Sequence, residues 1–159
     1  MTKFAELLRV LSAAGVEYIV AGGVAAAAHG SARSTQDLDI VYRRSLENIE
    51  KLAAALAPHR PYLRGAVPGL PFRFDQETVR AGLNFTLTTG LGWIDLFGEI
   101  AGGGHYEDLL PHSIQIELSG FECRVLDLET LIRTKRSAGR PKDFETIAEL
   151  EILRSRNRR

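Results

Sequence analysis

The chain has 159 residues, 45% hydrophobic and 25% charged, with 20 basic against 20 acidic side chains. That length fits one domain able to remove about 70% of its unfolded surface from water, and the composition excludes a disordered or collagenous polymer. Zero net charge excludes a uniformly basic nucleic-acid coat, although residues 1–132 hold 11 basic and 16 acidic side chains and the remainder hold 9 and 4.

In chain order, Phe4, Leu7, Leu8 and Leu11 recur at helical spacing and predict a helix over 3–14, closed by Gly15. Lys3, Glu6 and Arg9 within that pattern argue against a signal peptide or membrane span. Residues 18–21 read as a strand, Gly22 and Gly23 break it, and 24–28 return to helix before Gly30. Residues 38–42 form a second strand, and Ser45 caps a helix running to about Ala57. Pro58, Pro61, Pro68 and Pro71 then mark a loop, and residues 75–81 add a short helix. Strands follow over 85–89 and 93–97, then a flexible loop at Gly102–Gly104, and a hairpin of 114–118 with 121–125. Asp127 caps a helix to about Ser137, Gly139–Pro141 breaks it, and a last helix runs into the tail Arg154–Arg159. This order implies an α+β (mixed α/β) fold: a central mixed sheet with helices packed against it, in a single domain whose residues 127–159 are C-terminal helices and a basic tail.

A lone cysteine, Cys123, forms neither an intramolecular disulfide nor a zinc cluster, which points to a reducing, cytoplasmic compartment. His29, His59, His105 and His112 show no metal-ligand spacing, and no GxxxxGK[ST], GxGxxG or GxSxG string occurs. The informative stretch is VAGGVAAAAHGSARSTQDLDIVY, residues 20–42. Asp37 and Asp39, two apart on a strand, project from one face about 7 Å apart at the backbone, while Leu38 and Ile40 enter the core. Two such charges near 4 Å repel by about 4 kcal/mol at an effective dielectric of 20. Cations relieve that repulsion, and hard oxygen ligands select magnesium or manganese. Gly22 and Gly23, between a strand and a helix, let backbone amides approach a phosphate with no Cβ in the way.

The glycine pair, thirteen intervening residues and Asp-Leu-Asp on a strand together resemble the motif of the polymerase-beta-type nucleotidyltransferase superfamily. Gly30, Ser31, Arg33, Thr35, Asp37 and Asp39 are similar to the string in small prokaryotic nucleotidyltransferases related to AbiEii-type toxins and minimal MNT-type proteins. WIDLF at 93–97 resembles the strand that carries the third carboxylate, here Asp95, and Leu131, Lys135, Gly139, Arg140, Pro141 and Asp143 resemble the helical signature that follows.

The resemblance implies a nucleotidyltransferase fold and metal-assisted transfer of an NMP from an NTP to a hydroxyl of RNA, protein or a small molecule, releasing pyrophosphate. Asp37 and Asp39 would hold Mg2+ or Mn2+ on the triphosphate, and Asp95 would complete a second metal site and help deprotonate the acceptor. A role as a toxin with a cognate antitoxin or partner protein falls within the same class. Small-molecule modification is disfavoured by a chain that looks too short for a separate acceptor domain. The alternative is an inactive nucleotide- or RNA-binding module, or a partner subunit, with the same fold.

Around this core, Arg33 either contacts the triphosphate or pairs with a structural carboxylate, and Ser31 either donates to phosphate or caps a turn. Lys135 and Arg140 are the expected nucleotide-facing cations; their alternative is a salt-bridged helix face. Trp93 and Phe97 share Asp95's face and either line a base pocket or belong to the core. His105 and Tyr106 fall on a loop able to close over substrate or to remain plain surface. The arginine tail either attracts RNA phosphate or is a soluble terminus.

Overall fold

The computed structural model describes residues 1–157. Its strands β1 (Tyr18–Ala21), β2 (Asp37–Tyr42), β3 (Tyr62–Leu63), β4 (Asn84–Thr89), β5 (Gly92–Phe97), β6 (Ser113–Leu118) and β7 (Phe121–Leu126) form one sheet in the order β3-β4-β5-β2-β1-β7-β6. The sheet is mixed: β2–β5 and β1–β7 pair in parallel, and the other neighbours are antiparallel.

Alternation along the strands assigns the two faces. Leu38 and Ile40 of β2, Phe85 and Leu87 of β4, and Ile94 and Leu96 of β5 are buried on one side. Phe74, just before helix α4 (Gln76–Ala81), meets Phe85 edge to face there at 6.2 Å. Helix α1 (Phe4–Ala13), with Leu7, Leu8 and Leu11 buried, and helix α3 (Leu46–Leu56) pack with α4 as one group. Local signals set these boundaries: Ser45 accepts from Asn48 N at 3.2 Å, and Asp75 accepts from Thr78 N at 2.9 Å.

The opposite face carries Asp37, Asp39 and Asp95, beneath helices α2 (Gly22–Ala28), α6 (Leu128–Ala138) and α7 (Phe144–Asn157). Asp127 caps α6 by accepting from Thr130 N at 2.8 Å, and Gly139 ends it in the left-handed conformation, φ 65°. Pro141–Asp143 make a 3-10 turn before α7, so that helix starts three residues later than the proline implies.

Other boundaries move for identifiable reasons. Helix α2 begins at the glycine pair instead of after it, because Gly22 supplies the positive φ that turns the chain straight from strand into helix. The proline-rich loop contains β3, an edge strand too short for alternation to reveal. After the three glycines the chain forms a further helix, α5 (Tyr106–Leu109), entered through reciprocal bonds between His105 and Asp108. Tyr106 is only 6% exposed and α5 packs on β1, so Tyr106 belongs to the core, while His105 stays on the surface.

Candidate active site

The carboxylates meet because of strand register. In the parallel β2–β5 pair Asp39 lies opposite Asp95, and Asp37 lies opposite Trp93. One oxygen from each of Asp37, Asp39 and Asp95 falls within 4.8 Å of the others. Burial, then the charges of Asp37 and Asp95, push Asp39 up from 3.8 to about 8 against the opposing pull of Lys135 and Arg140. Burial and a hydrogen bond shared with Asp37 likewise raise Asp95, while Arg64 pulls it back. Asp39 Oδ1 is buried with no hydrogen-bond partner. Three converging carboxylates, with Asp39 Oδ1 and Asp95 Oδ1 both lacking a hydrogen-bond partner, fit a small hard dication such as Mg2+ or Mn2+.

The glycine pair seats α2 against this cluster. A Cβ on Gly22 would collide with the Asp39 carboxylate, and one on Gly23 would stand 2.6 Å from Thr35 Cβ. Thr35 Oγ1 in turn donates to Asp37 O at 3.3 Å and to its carboxylate at 3.4 Å. The first turn of α2 therefore lies against both Asp37 and Asp39, directly or through Thr35.

A cleft of about 470 Å³ opens beside the cluster, lined by Gly23, Ser31, Arg33, Asp37, Asp39, Lys135 and Arg140. A smaller recess of about 170 Å³ adjoins it across Asp39, Lys135 and Arg140, with Gly22, Phe97 and Ile100 in its wall. Lys135 Nζ pairs with Asp143 at 3.6 Å, and Arg140 Nε donates to the same carboxylate at 2.8 Å. The two cations thus face the cleft while anchored from behind.

Ser31 and Arg33 are engaged elsewhere. Ser31 Oγ donates to Glu149, Ala32 N donates to Glu149 at 3.1 Å, and Arg33 Nη1 pairs with Glu145 at 3.0 Å. Both residues still line the cleft rim, but their polar atoms are tied to α7. Trp93 is 40% exposed and does not belong to the core. It sits under a cation that sequence reading missed, Arg64, whose guanidinium lies 4.6 Å from the ring centroid. Arg64 Nη2 stands 2.9 Å from Asp95 Oδ1, and Nη1 is 4.0 Å from Asp37 Oδ2. No periodic signal in the proline-rich segment could have singled it out. Arg154 of the tail pairs with Glu129 at 3.3 Å, and the last two arginines lie outside the described residues.

Comparison with solved structures bears on the fold. The chain is similar to the crystal structure of ANT(2'')-Ia in complex with adenylyl-2''-tobramycin, at TM-score 0.58 and 15% identity over 99% of this chain and 98% of that one. The solution structure of ANT(2'')-Ia, an antibiotic-resistance factor, matches at TM-score 0.56 and 15% identity over 98% of this chain and 91% of that one. TM1012 of Thermotoga maritima, which carries the name nucleotidyltransferase, matches at TM-score 0.55 and 19% identity over 94% of both chains. The chain adopts the nucleotidyltransferase fold. No protein-family model and no curated protein matches it. Among the described residues no helix is long and apolar enough to cross a membrane.

Proposed function

We propose that this protein transfers a nucleoside monophosphate from an NTP to an acceptor hydroxyl. The observation that carries the reading is the convergence of Asp37, Asp39 and Asp95 within 4.8 Å, with an orphaned Asp39 oxygen, beside a cleft walled by Lys135 and Arg140. Asp37, Asp39 and Asp95 would hold Mg2+ or Mn2+. When bound, the ion supplies Lewis-acid charge to the phosphate oxygens.

The chain's own groups do the rest. The amides of Gly22 and Gly23 approach the phosphates, and Lys135 and Arg140 balance their charge from the opposite wall. The acceptor oxygen forms a bond to the α-phosphorus, the bond from that phosphorus to the pyrophosphate oxygen breaks, and Asp95 takes the acceptor's proton. Burial and the neighbouring Asp37 raise the proton affinity of Asp95, which favours it as the base. Arg33 and Ser31, held by Glu145 and Glu149, brace the rim of the cleft.

The acceptor is a small molecule, an RNA or a protein. The likeness to ANT(2'')-Ia supports the first, and a toxin with a cognate antitoxin would use one of the others. We read the chain as a single cytoplasmic domain. The test is incubation with each α-labelled NTP and Mg2+, alone and with total RNA, a host protein extract or aminoglycosides. Label that appears with one acceptor fraction and is lost in folded Asp37→Asn and Asp39→Asn variants is expected. A folded wild-type protein that binds NTP and labels nothing would instead be a binding module.

A further inference from the structure

We propose that Arg64 is a built-in cation of the carboxylate cluster, so that the free protein binds one divalent ion and not two. The inference rests on reading the cluster as a metal site. Backbone pairing puts Arg64 within reach: Arg64 N donates to Thr86 O at 3.0 Å, and Thr86 lies opposite Asp95 in the β4–β5 register. Arg64 follows Tyr62 by two residues, so it shares the sheet face of Thr86 and Asp95, and its long side chain crosses over β4 to the cluster.

Four contacts hold it there. Nη2 is 2.9 Å from Asp95 Oδ1 and donates to Leu87 O at 2.7 Å, Nη1 faces Asp37 Oδ2 at 4.0 Å, and the guanidinium plane covers Trp93. With its side chain 19% exposed, Arg64 is fixed rather than waving at the surface. A guanidinium keeps its charge at every accessible pH. It therefore occupies the flank of Asp95 turned towards β4 as a permanent positive charge, and a dication placed on that flank would be repelled by it. Asp39 Oδ1, buried without a hydrogen-bond partner and on a carboxyl that feels the charges of Lys135 and Arg140, remains available to an ion shared with Asp37. In this arrangement Asp95 is oriented by Arg64, and the arginine supplies the second positive charge.

The test counts ions on the nucleotide-free protein. Mn2+ titration followed by electron paramagnetic resonance gives the stoichiometry for wild type, Arg64→Lys and Arg64→Gln, each checked for folding by circular dichroism. One Mn2+ is expected for wild type and Arg64→Lys, and two for Arg64→Gln. Two ions on the wild type overturn the proposal while leaving the metal site intact, and so does a folded Arg64→Gln that still binds one. If Arg64→Gln does not fold, the wild-type and Arg64→Lys counts decide. No Mn2+ on wild type, matching an Asp39→Asn control, overturns the metal reading itself and this inference with it.

Discussion

The Lys135 ammonium and the Asp143 carboxylate meet at 3.6 Å with their side chains only 9% and 7% exposed. Asp143 also receives Arg140 Nε, so one buried carboxylate anchors both cations of the cleft wall. Asp143→Ala removes that anchor and leaves a buried ammonium uncompensated, which typically costs about 3–5 kcal/mol. Urea unfolding should show a loss of at least about 3 kcal/mol, and Lys135→Met, which removes the orphan charge, a smaller one. A loss below about 1 kcal/mol in Asp143→Ala would show that the pair is not holding the wall.

The cluster makes stability depend on pH in a direction opposite to ordinary acid denaturation. Asp39 is raised from 3.8 to about 8, chiefly by burial, whereas in the unfolded chain it ionises near its ordinary value. Between those limits the folded state holds the extra proton, so its stabilising effect is complete below about pH 4 and is lost as pH rises through about 8. Asp95 shifts in the same direction. Melting temperature in EDTA should therefore carry a component that falls from about pH 5 to about pH 9. Asp39→Asn should flatten it, and Mg2+ should restore stability most at the alkaline end. An unchanged slope in Asp39→Asn would refute the assignment.

Asp37 and Asp39 were legible because a strand has a two-residue period that sets them against Leu38 and Ile40, and Asp95 through the resemblance of the WIDLF strand. Cap residues at 45 and 127 gave helix starts for the same local reason. Arg64 was not legible, since a two-residue edge strand among prolines has no period and the partner of Arg64 is 31 positions away. The bond from Ser31 to Glu149 spans 118 positions and follows only from how α7 packs. Sequence thus exposed what local geometry determines, and concealed Arg64, whose placement depends on sheet order.

Gly22 offers a steric test of how α2 meets the cluster. It combines φ 61° with a hydrogen facing the Asp39 carboxylate. Gly120, in the β6–β7 turn, has a similar φ of 85°, but a Cβ added there would meet nothing within 4 Å. Alanine at either position bears the left-handed backbone cost of about 1–2 kcal/mol, and only at Gly22 is a collision added. Gly22→Ala should be the more destabilising by at least about 1 kcal/mol and should abolish Mn2+ binding, while Gly120→Ala binds normally. Equal losses with Mn2+ binding retained in both would mean that Asp39 can move aside.

The two roles open to Arg33 are separable by a double-mutant cycle. Glu149 gathers Ser31 Oγ, Ala32 N and, at 3.9 Å, Arg33 Nε, and Glu145 takes Arg33 Nη1. The Ser31 bond, then the Ala32 amide, hold Glu149 below its ordinary range. Ion pairs and hydrogen bonds at a cleft rim contribute little to global stability, so Glu149→Ala should leave it almost unchanged. Its effect should be local: faster amide exchange over residues 31–35 and a several-fold higher KM for NTP. If Arg33 braces the rim through α7, Arg33→Ala should reproduce part of that KM rise, and the double variant should be no worse than Glu149→Ala, because both changes release one contact network. If Arg33 instead contacts the triphosphate, its loss should multiply the effect of Glu149→Ala. The existing ion pairs favour the non-additive outcome, since a guanidinium already shared between two carboxylates of α7 must break them to reach a phosphate.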